Sequence, residues 1–159
     1  MKSISSCLAL MGLLAGAIAV DGSESRVGRT IPDFTLHDYR GAKHSLSDWH
    51  EKKAVIVAFL GVQCPLDRQY GPRLAELAPK YEPQRVALVA IDANQQDSLA
   101  EIAHYAREPK LDFPILKDPG NSVPDQFGAL RTPELFIHDS GRVVRYWGRI
   151  DDQFGVGYA

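Results

Sequence analysis

Residues 54–60 read Ala-Val-Ile-Val-Ala-Phe-Leu, apolar without a break. A strand with one wet face would alternate apolar and polar side chains. A continuous run of this length fits a strand covered on both faces, so the chain must pack a layer on each side of it. The run passes through Gly61-Val-Gln into Cys64-Pro65, where a helical pattern begins: Leu66, Tyr70, Leu74, Leu77, Ala78 and Tyr81 share one spacing. Pro65 suits the first helical turn, where its missing N–H costs nothing. Pro72 is expected to remove one internal hydrogen bond and kink the helix. Cys64 therefore stands where a strand ends and a helix starts. Unpaired N–H groups and the helix dipole favour thiolate over thiol there, and the thiolate is the reactive form. Cys64 is the candidate nucleophile, and the expected chemistry is that of sulfur.

The remaining punctuation extends this unit. Ile31–His37 alternates as a short strand, Tyr39–Lys43 turns, and His44–Leu46 is the return strand. Ser47 and Asp48 are expected to cap a short helix around Trp49. Arg85–Asp92 is a second buried strand. Asp97 is expected to cap a helix carrying Leu99, Ile102, Ala103 and Ala106 on one face. Phe113–Leu116 reads as a short edge-like strand, and Ser122–Phe127 as a short helix stopped by Gly128. Glu134–Asp139 and Arg142–Ile150 form a hairpin through Ser140-Gly141. Strands and helices alternate first and a hairpin closes the chain, which predicts an α/β fold with a mixed central sheet and helices on both faces.

The ends are read separately. Lys2, the apolar run Cys7–Val20 and the small-x-small step Ala17-Ile18-Ala19 predict a signal peptide over residues 1–19, too short for an efficient membrane span. Residues 20–28 are then a polar linker, and 29–159 one domain. Because no helix pattern follows Ile150, the domain is expected to be cut short at its C-terminus, with a fused C-terminal domain as a candidate partner. The formal net charge is −2 and becomes one unit more negative without Lys2. With neither a basic block nor an acidic tail, nucleic acid and anionic membrane surfaces are not expected partners. The expected location is exported, periplasmic or extracellular, with no membrane attachment once the leader is cleaved. Cys7 leaves with the leader, so Cys64 has no internal disulfide partner. A single thiol in an exported domain is reactive, intermolecularly bridged or structural.

Four segments in order carry a resemblance: Gly28–Leu36, Val57–Pro65, Arg131–Asp139 and Gly141–Gly148. Together they resemble the thioredoxin-like superfamily, and within it the redoxin group. That group comprises the alkyl hydroperoxide reductase/thiol-specific antioxidant proteins and the exported thiol–disulfide oxidoreductases. The resemblance covers about Val27–Ile150 and implies a thioredoxin-like fold. It also implies a cis-proline loop at Thr132-Pro133, packed beside the cysteine and offering backbone groups to an extended substrate. The chain departs from its relatives at Cys64-Pro65-Leu66-Asp67, where the second thiol of Cys-x-x-Cys is a carboxylate. Peroxiredoxins carry Thr where Gly61 stands and Arg where Pro133 stands.

These residues imply thiol–disulfide exchange through Cys64, with protein or small-molecule thiols and disulfides as partners. The alternatives are a one-cysteine thiol peroxidase of antioxidant type, acting on peroxides, and a non-catalytic or Sco-like metal-binding module. Supporting residues are Pro65, Asp67, Arg131, Thr132 and Pro133. Asp67 reads either as a solvated acid in the first helical turn or as a proton acceptor. Its charge opposes the thiolate, and Arg68 partly offsets it. Arg131 reads either as a binder of anions and peptide carbonyls or as a surface ion-pair partner. The five histidines lack the spacing of a zinc site, and His138 is expected to be a satisfied core or edge residue. No metal or cofactor is implied.

Overall fold

A computed structural model describes residues 26–151 of the chain. The expected leader, most of the linker and the tail after Asp151 lie outside the described residues. Seven strands form one mixed sheet: β1 (Thr35–Asp38), β2 (Lys43–Ser45), β3 (Ala54–Leu60), β4 (Val86–Asp92), β5 (Ile115–Lys117), β6 (Glu134–Asp139) and β7 (Val144–Gly148). Their order is β2-β1-β5-β4-β3-β6-β7. β3 pairs with β4 and β4 with β5 in parallel, while the β3–β6, β6–β7, β5–β1 and β1–β2 pairs are antiparallel. The helices are α1 (Pro65–Tyr81), α2 (Leu99–Arg107) and α3 (Ser122–Phe127).

The unbroken apolar run becomes β3, at the centre of the sheet between β4 and β6. Its side chains alternate between two cores, as the twofold repeat of a strand requires. Val55, Val57 and Phe59 join Phe34, Phe127 and Phe136 on one face. Ala58 and Leu60 join Leu74, Ile102 and Tyr105 on the other. Phe127 meets Phe59 and Phe136 edge-on, with ring centroids 5.4 and 5.2 Å apart. Helices thus cover both faces, as the sequence predicts.

Four local expectations are corrected. β5 is interior, because the β1–β2 hairpin folds back and pairs with it. The cap of α2 is Ser98, whose hydroxyl accepts from Glu101 N while Glu101 answers the Ser98 N–H at 2.8 Å. Asp97 is turned inward instead. The short helix near Trp49 is a 3-10 turn over Leu46–Trp49, and Asp48 reaches back to the Ser45 N–H at 2.7 Å. Finally, α1 buries Asp67, Tyr70, Gly71 and Leu74, while Leu66 is 38 % exposed. The inner stripe begins at Asp67 and not at Leu66, and the helix runs unbroken through Pro72 and Pro79.

The described chain also starts inside the expected linker. Gly28 N donates to Val144 O at 2.8 Å, and the Arg26 guanidinium lies 4.1 Å from the centre of the Trp147 ring. Arg26 Nε also donates to Gly128 O at 2.6 Å.

Candidate active site

The parallel strands β3 and β4 end together, and the loops leaving them meet the loop before β6. Open sheets place their sites at such carboxyl ends of strands. After β3, the chain turns so that Cys64 N donates to Gly61 O at 2.9 Å and Cys64 becomes the N-cap of α1. Pro65 follows in the first helical turn, where the sequence puts it. The thiol is partly exposed and is free. Its sulfur lies 3.9 Å from the carbonyl oxygen of Thr132. The two segments joined by the resemblance therefore meet in space, and the Thr132-Pro133 bond is cis.

Gly61 leaves room for the Asn94 side chain. A Cβ there would stand 2.5 Å from Asn94 Nδ2 and 3.4 Å from Thr132 Oγ1. The threonine that peroxiredoxins carry at this position would have to displace the Asn94 side chain.

Asp67 is fully buried, which overturns the solvated reading. It stands three residues after the N-cap, where a side chain folds back toward the cap. Its Oδ2 accepts from Gly61 N at 2.7 Å. Its Oδ1 is buried without a hydrogen-bond partner. Burial pushes the Asp67 carboxyl up to about 6. The Gly61 N–H opposes this most, then the Thr132 and Cys64 side chains, whereas the Asp97 charge adds to the rise. Behind Asp67, Tyr105 Oη donates to the Asp67 carbonyl at 2.9 Å. Gly71 permits that approach, since a Cβ there would lie 3.2 Å from the Tyr105 oxygen.

Two more carboxylates converge from β4 and the loop after it. Asp97 Oδ2 accepts from Val62 N at 3.0 Å and from Asn94 Nδ2 at 3.1 Å, leaving Oδ1 unpartnered. Asp67 and Asp97 therefore hold the successive N–H groups of Gly61 and Val62. Asp92, fully buried at the end of β4, meets Lys117 Nζ at 2.9 Å through Oδ1, while its Oδ2 has no partner. Burial pushes the Asp92 carboxyl up to about 7, against the pull of Lys117 and reinforced by Asp97. Lys117 Nζ also donates to Asn94 O. Asp92, Asn94, Asp97, Tyr105 and Lys117 escape the sequence reading. The only signal was the position of Asp92 at a strand end.

The loop before β6 is fixed from below. Glu134, buried, accepts Leu130 N at 2.8 Å through one oxygen and Trp147 Nε1 at 2.7 Å through the other. Leu130 itself is 79 % exposed. Leu66, two residues after the cysteine, is the other exposed leucine of these segments. Arg131 is exposed, and among the described residues it makes no ion pair; it lines a cleft of about 260 Å³ with Asn94, Leu130 and Thr132. A second cleft, of about 350 Å³, includes Val62, Gln63, Arg68 and Tyr105. Arg68 Nε donates to Val62 O at 3.2 Å.

Elsewhere, His138 is buried and only half satisfied. Nδ1 meets Asp139 O at 2.9 Å and Nε2 has no partner, and burial holds its pKa below the usual range. Among the described residues, no three His, Cys, Asp or Glu side chains are placed to hold a metal ion. Among them too, no helix is long and apolar enough to cross a membrane.

Comparison with known proteins agrees with this geometry. The sequence model of the AhpC/TSA family matches residues 27–147. The thiol-disulfide oxidoreductase ResA of Bacillus thuringiensis subsp. konkukian is 29% identical over 120 residues, spanning 75% of this chain and 68% of that protein. ResA of Geobacillus kaustophilus is 33% identical over 120 residues, covering 75% of this chain and 67% of its own length. A hypothetical protein from Sinorhizobium meliloti 1021 has a crystal structure that superimposes with a TM-score of 0.75 at 32% identity, covering 79% of this chain and 72% of that one.

Proposed function

From a chain that belongs to the AhpC/TSA family and is an oxidoreductase of the redoxin class, we propose a protein that exchanges thiols and disulfides through Cys64 alone. One observation carries this reading: the position one helical turn beyond a partly exposed N-cap thiol holds a buried carboxylate. Cys64 attacks a disulfide and becomes a mixed disulfide with one half of it. With no second thiol beside it, the mixed disulfide is released by a thiol from outside the domain. Thr132-Pro133 borders the thiol and offers its backbone to the substrate chain. Leu66 and Leu130 supply apolar contact, and Arg131 meets carbonyls or anions. The partners are protein or small-molecule disulfides.

The protein acts after export, its leader over 1–19 removed. Support for this is the Lys2 start, the apolar run and Ala17-Ile-Ala19. A peroxidase reading is less well supported, because Gly61 and Pro133 stand where peroxiredoxins carry Thr and Arg.

Incubation with oxidised hydroxyethyl thiol should add one adduct by mass, absent in Cys64→Ser and released by excess thiol. If Cys64 takes neither this adduct nor iodoacetamide at neutral pH, it is structural and the reading fails. Sustained peroxide turnover without disulfide turnover would move the assignment to the peroxidase. The exported protein should begin near Val20 on N-terminal sequencing, and retained Met1 would refute cleavage.

A further inference from the structure

We propose that the cleft beside Thr132 selects disulfides that carry a carboxylate a few bonds from the reacting sulfur, and that Arg131 is the residue that binds it. This rests on the exchange function assigned to Cys64 and names the substrate class of that same site. Three observations lead to it. The first is an unpaired guanidinium. Arg73, Arg142 and Arg145 each face a carboxylate, and Arg68 donates to the Val62 carbonyl. Arg131 is exposed and has no hydrogen bond or ion pair among the described residues. The second is where it stands. Arg131 directly precedes Thr132, whose carbonyl oxygen lies 3.9 Å from the Cys64 sulfur. Neighbouring residues are about 3.8 Å apart, so a group two or three bonds from a sulfur joined to Cys64 comes within the span of the arginine side chain. The segment is also fixed, because the buried Glu134 holds Leu130 N at 2.8 Å.

The third observation is a contrast between the two clefts beside the segment that leads to Cys64. The cleft of about 260 Å³ is lined by the apolar Phe59, Leu60 and Ile91 together with Asn94, Thr132 and Arg131. Among the described residues that line it, Arg131 carries the only charge. Asp97 does not line it, and Asn94, which does, donates to Asp97 Oδ2 at 3.1 Å. The cleft of about 350 Å³ on the side of α2 holds Glu101 and Glu108 beside Arg68 and His104. An anion gains from the first cleft, whereas carboxylates offset the cation in the second. The apolar lining suits a short methylene stem, and a guanidinium suits the carboxylate at its end. The step itself is thiol–disulfide exchange. The Cys64 thiolate attacks the sulfur that bears the acid. A bond forms between the two sulfurs and the old S–S bond breaks. The other half leaves with the electron pair as a thiolate and takes a proton from water. The captured half keeps its carboxylate on Arg131 until an outside thiol releases it.

The test reads the rate of Cys64 adduct formation by mass with dithiodipropionate, hydroxyethyl disulfide and cystamine. These share one stem and end in an anion, a neutral hydroxyl and a cation. Each is compared on wild type and Arg131→Gln, so that differences in leaving group cancel. A charge-assisted arginine–carboxylate contact is worth about tenfold or more. Arg131→Gln should therefore slow dithiodipropionate about tenfold, leave hydroxyethyl disulfide within about twofold and not slow cystamine. Arg131→Lys should restore part of the loss. Arg107→Gln removes the same charge from α2 and should leave all three rates within about twofold. Raising salt from about 0.02 to about 0.5 M should erode the wild-type preference. A peptide disulfide with glutamate beside its cysteine, set against its glutamine twin, separates the sources of the carboxylate. An Arg131-dependent preference confined to the peptides assigns a protein substrate, and one confined to dithiodipropionate assigns a small acid. If Arg131→Gln slows acid and neutral partners equally in both pairs, or changes neither, the proposal is overturned while exchange through Cys64 stands. Failure of wild type to react with any of these disulfides would overturn both.

Discussion

Two groups of aspartates divide this molecule. Asp38, Asp118 and Asp139 sit at turns and have both oxygens bonded. Asp38 takes Arg40 N and Ala42 N at 2.9 and 2.8 Å and His44 at 3.3 Å. Asp118 takes Val123 N at 2.7 Å and Gly120 N at 3.3 Å, and Asp139 takes Val143 N and Arg145. Asp67, Asp92 and Asp97 meet behind the cysteine, and each keeps one oxygen buried and unpartnered. Burial opposes ionisation at Asp38, yet Ala42, His44 and Arg40 outweigh it and hold its carboxyl below the usual range. At Asp67 and Asp92 burial wins, although Gly61 N–H and Lys117 pull the other way. Complete hydrogen bonding turns a carboxylate into a structural clamp. Incomplete bonding leaves it free to exchange a proton.

The largest effect should come from removing the difference at its centre. Asp67→Cys replaces the carboxylate by a thiol one turn from Cys64. An internal disulfide should form on oxidation, detectable as a mass loss of two hydrogens, and insulin reduction should rise from undetectable. A protein that keeps both thiols after oxidation would show that the two positions do not meet as this geometry requires.

Lys117→Met comes next. It strands Asp92 without its cation, and breaking a buried pair costs about 3 kcal/mol or more. Denaturant titration at pH 8 should show that loss, and the loss should shrink toward pH 6 as Asp92 takes up a proton. A loss independent of pH would place the effect in packing.

Asp67→Asn should have the opposite sign. A carboxyl group whose folded pKa is raised stabilises the fold fully below its unfolded value. That contribution is lost as pH rises through the folded value, about 6 here. Wild type should therefore weaken between about pH 4 and pH 7. The variant should be more stable than wild type by about 2 kcal/mol at pH 8 and equal to it near pH 4.

The smallest effect belongs to the turn. Asp38→Asn should cost about 1 kcal/mol at pH 7. For a lowered carboxyl group the stabilisation is present above the unfolded pKa and lost as pH falls through the folded one, so this cost should vanish in acid. If Asp38 and Asp67 variants share one pH trend, the two groups are not distinct.

Much of the fold is written in local pattern. The apolar run of β3, Pro65 at the start of α1 and Gly128 at the end of α3 act within a few residues, and each stands where the sequence predicts. So does the meeting of Cys64 with Thr132, which required the order of four separate segments. The inner stripe of α1 was hidden because an acid stands where an apolar residue is expected: Asp67 occupies the core face and Leu66 does not. Asp97 was misread for a related reason. Asp is a good cap, but Ser98 with Glu101 makes the better one, which frees Asp97 to hold Val62 N. The Asp92–Lys117 pair joins β4 to β5, and no periodicity along one strand reveals a partner on another.

Glu134 holds the loop before β6 with one oxygen and the Trp147 indole with the other, beneath the charge of Arg26. The second tryptophan, Trp49, stacks on His44 at 6.0 Å and has no such tie. An indole fluoresces according to the hydrogen bond on its nitrogen and the charge over its ring. A molecule that shifts the loop when it seats on Thr132 and Cys64 must therefore change the emission of Trp147. The domain carries its own optical gauge of occupancy, readable in a Trp49→Phe background without any attached dye.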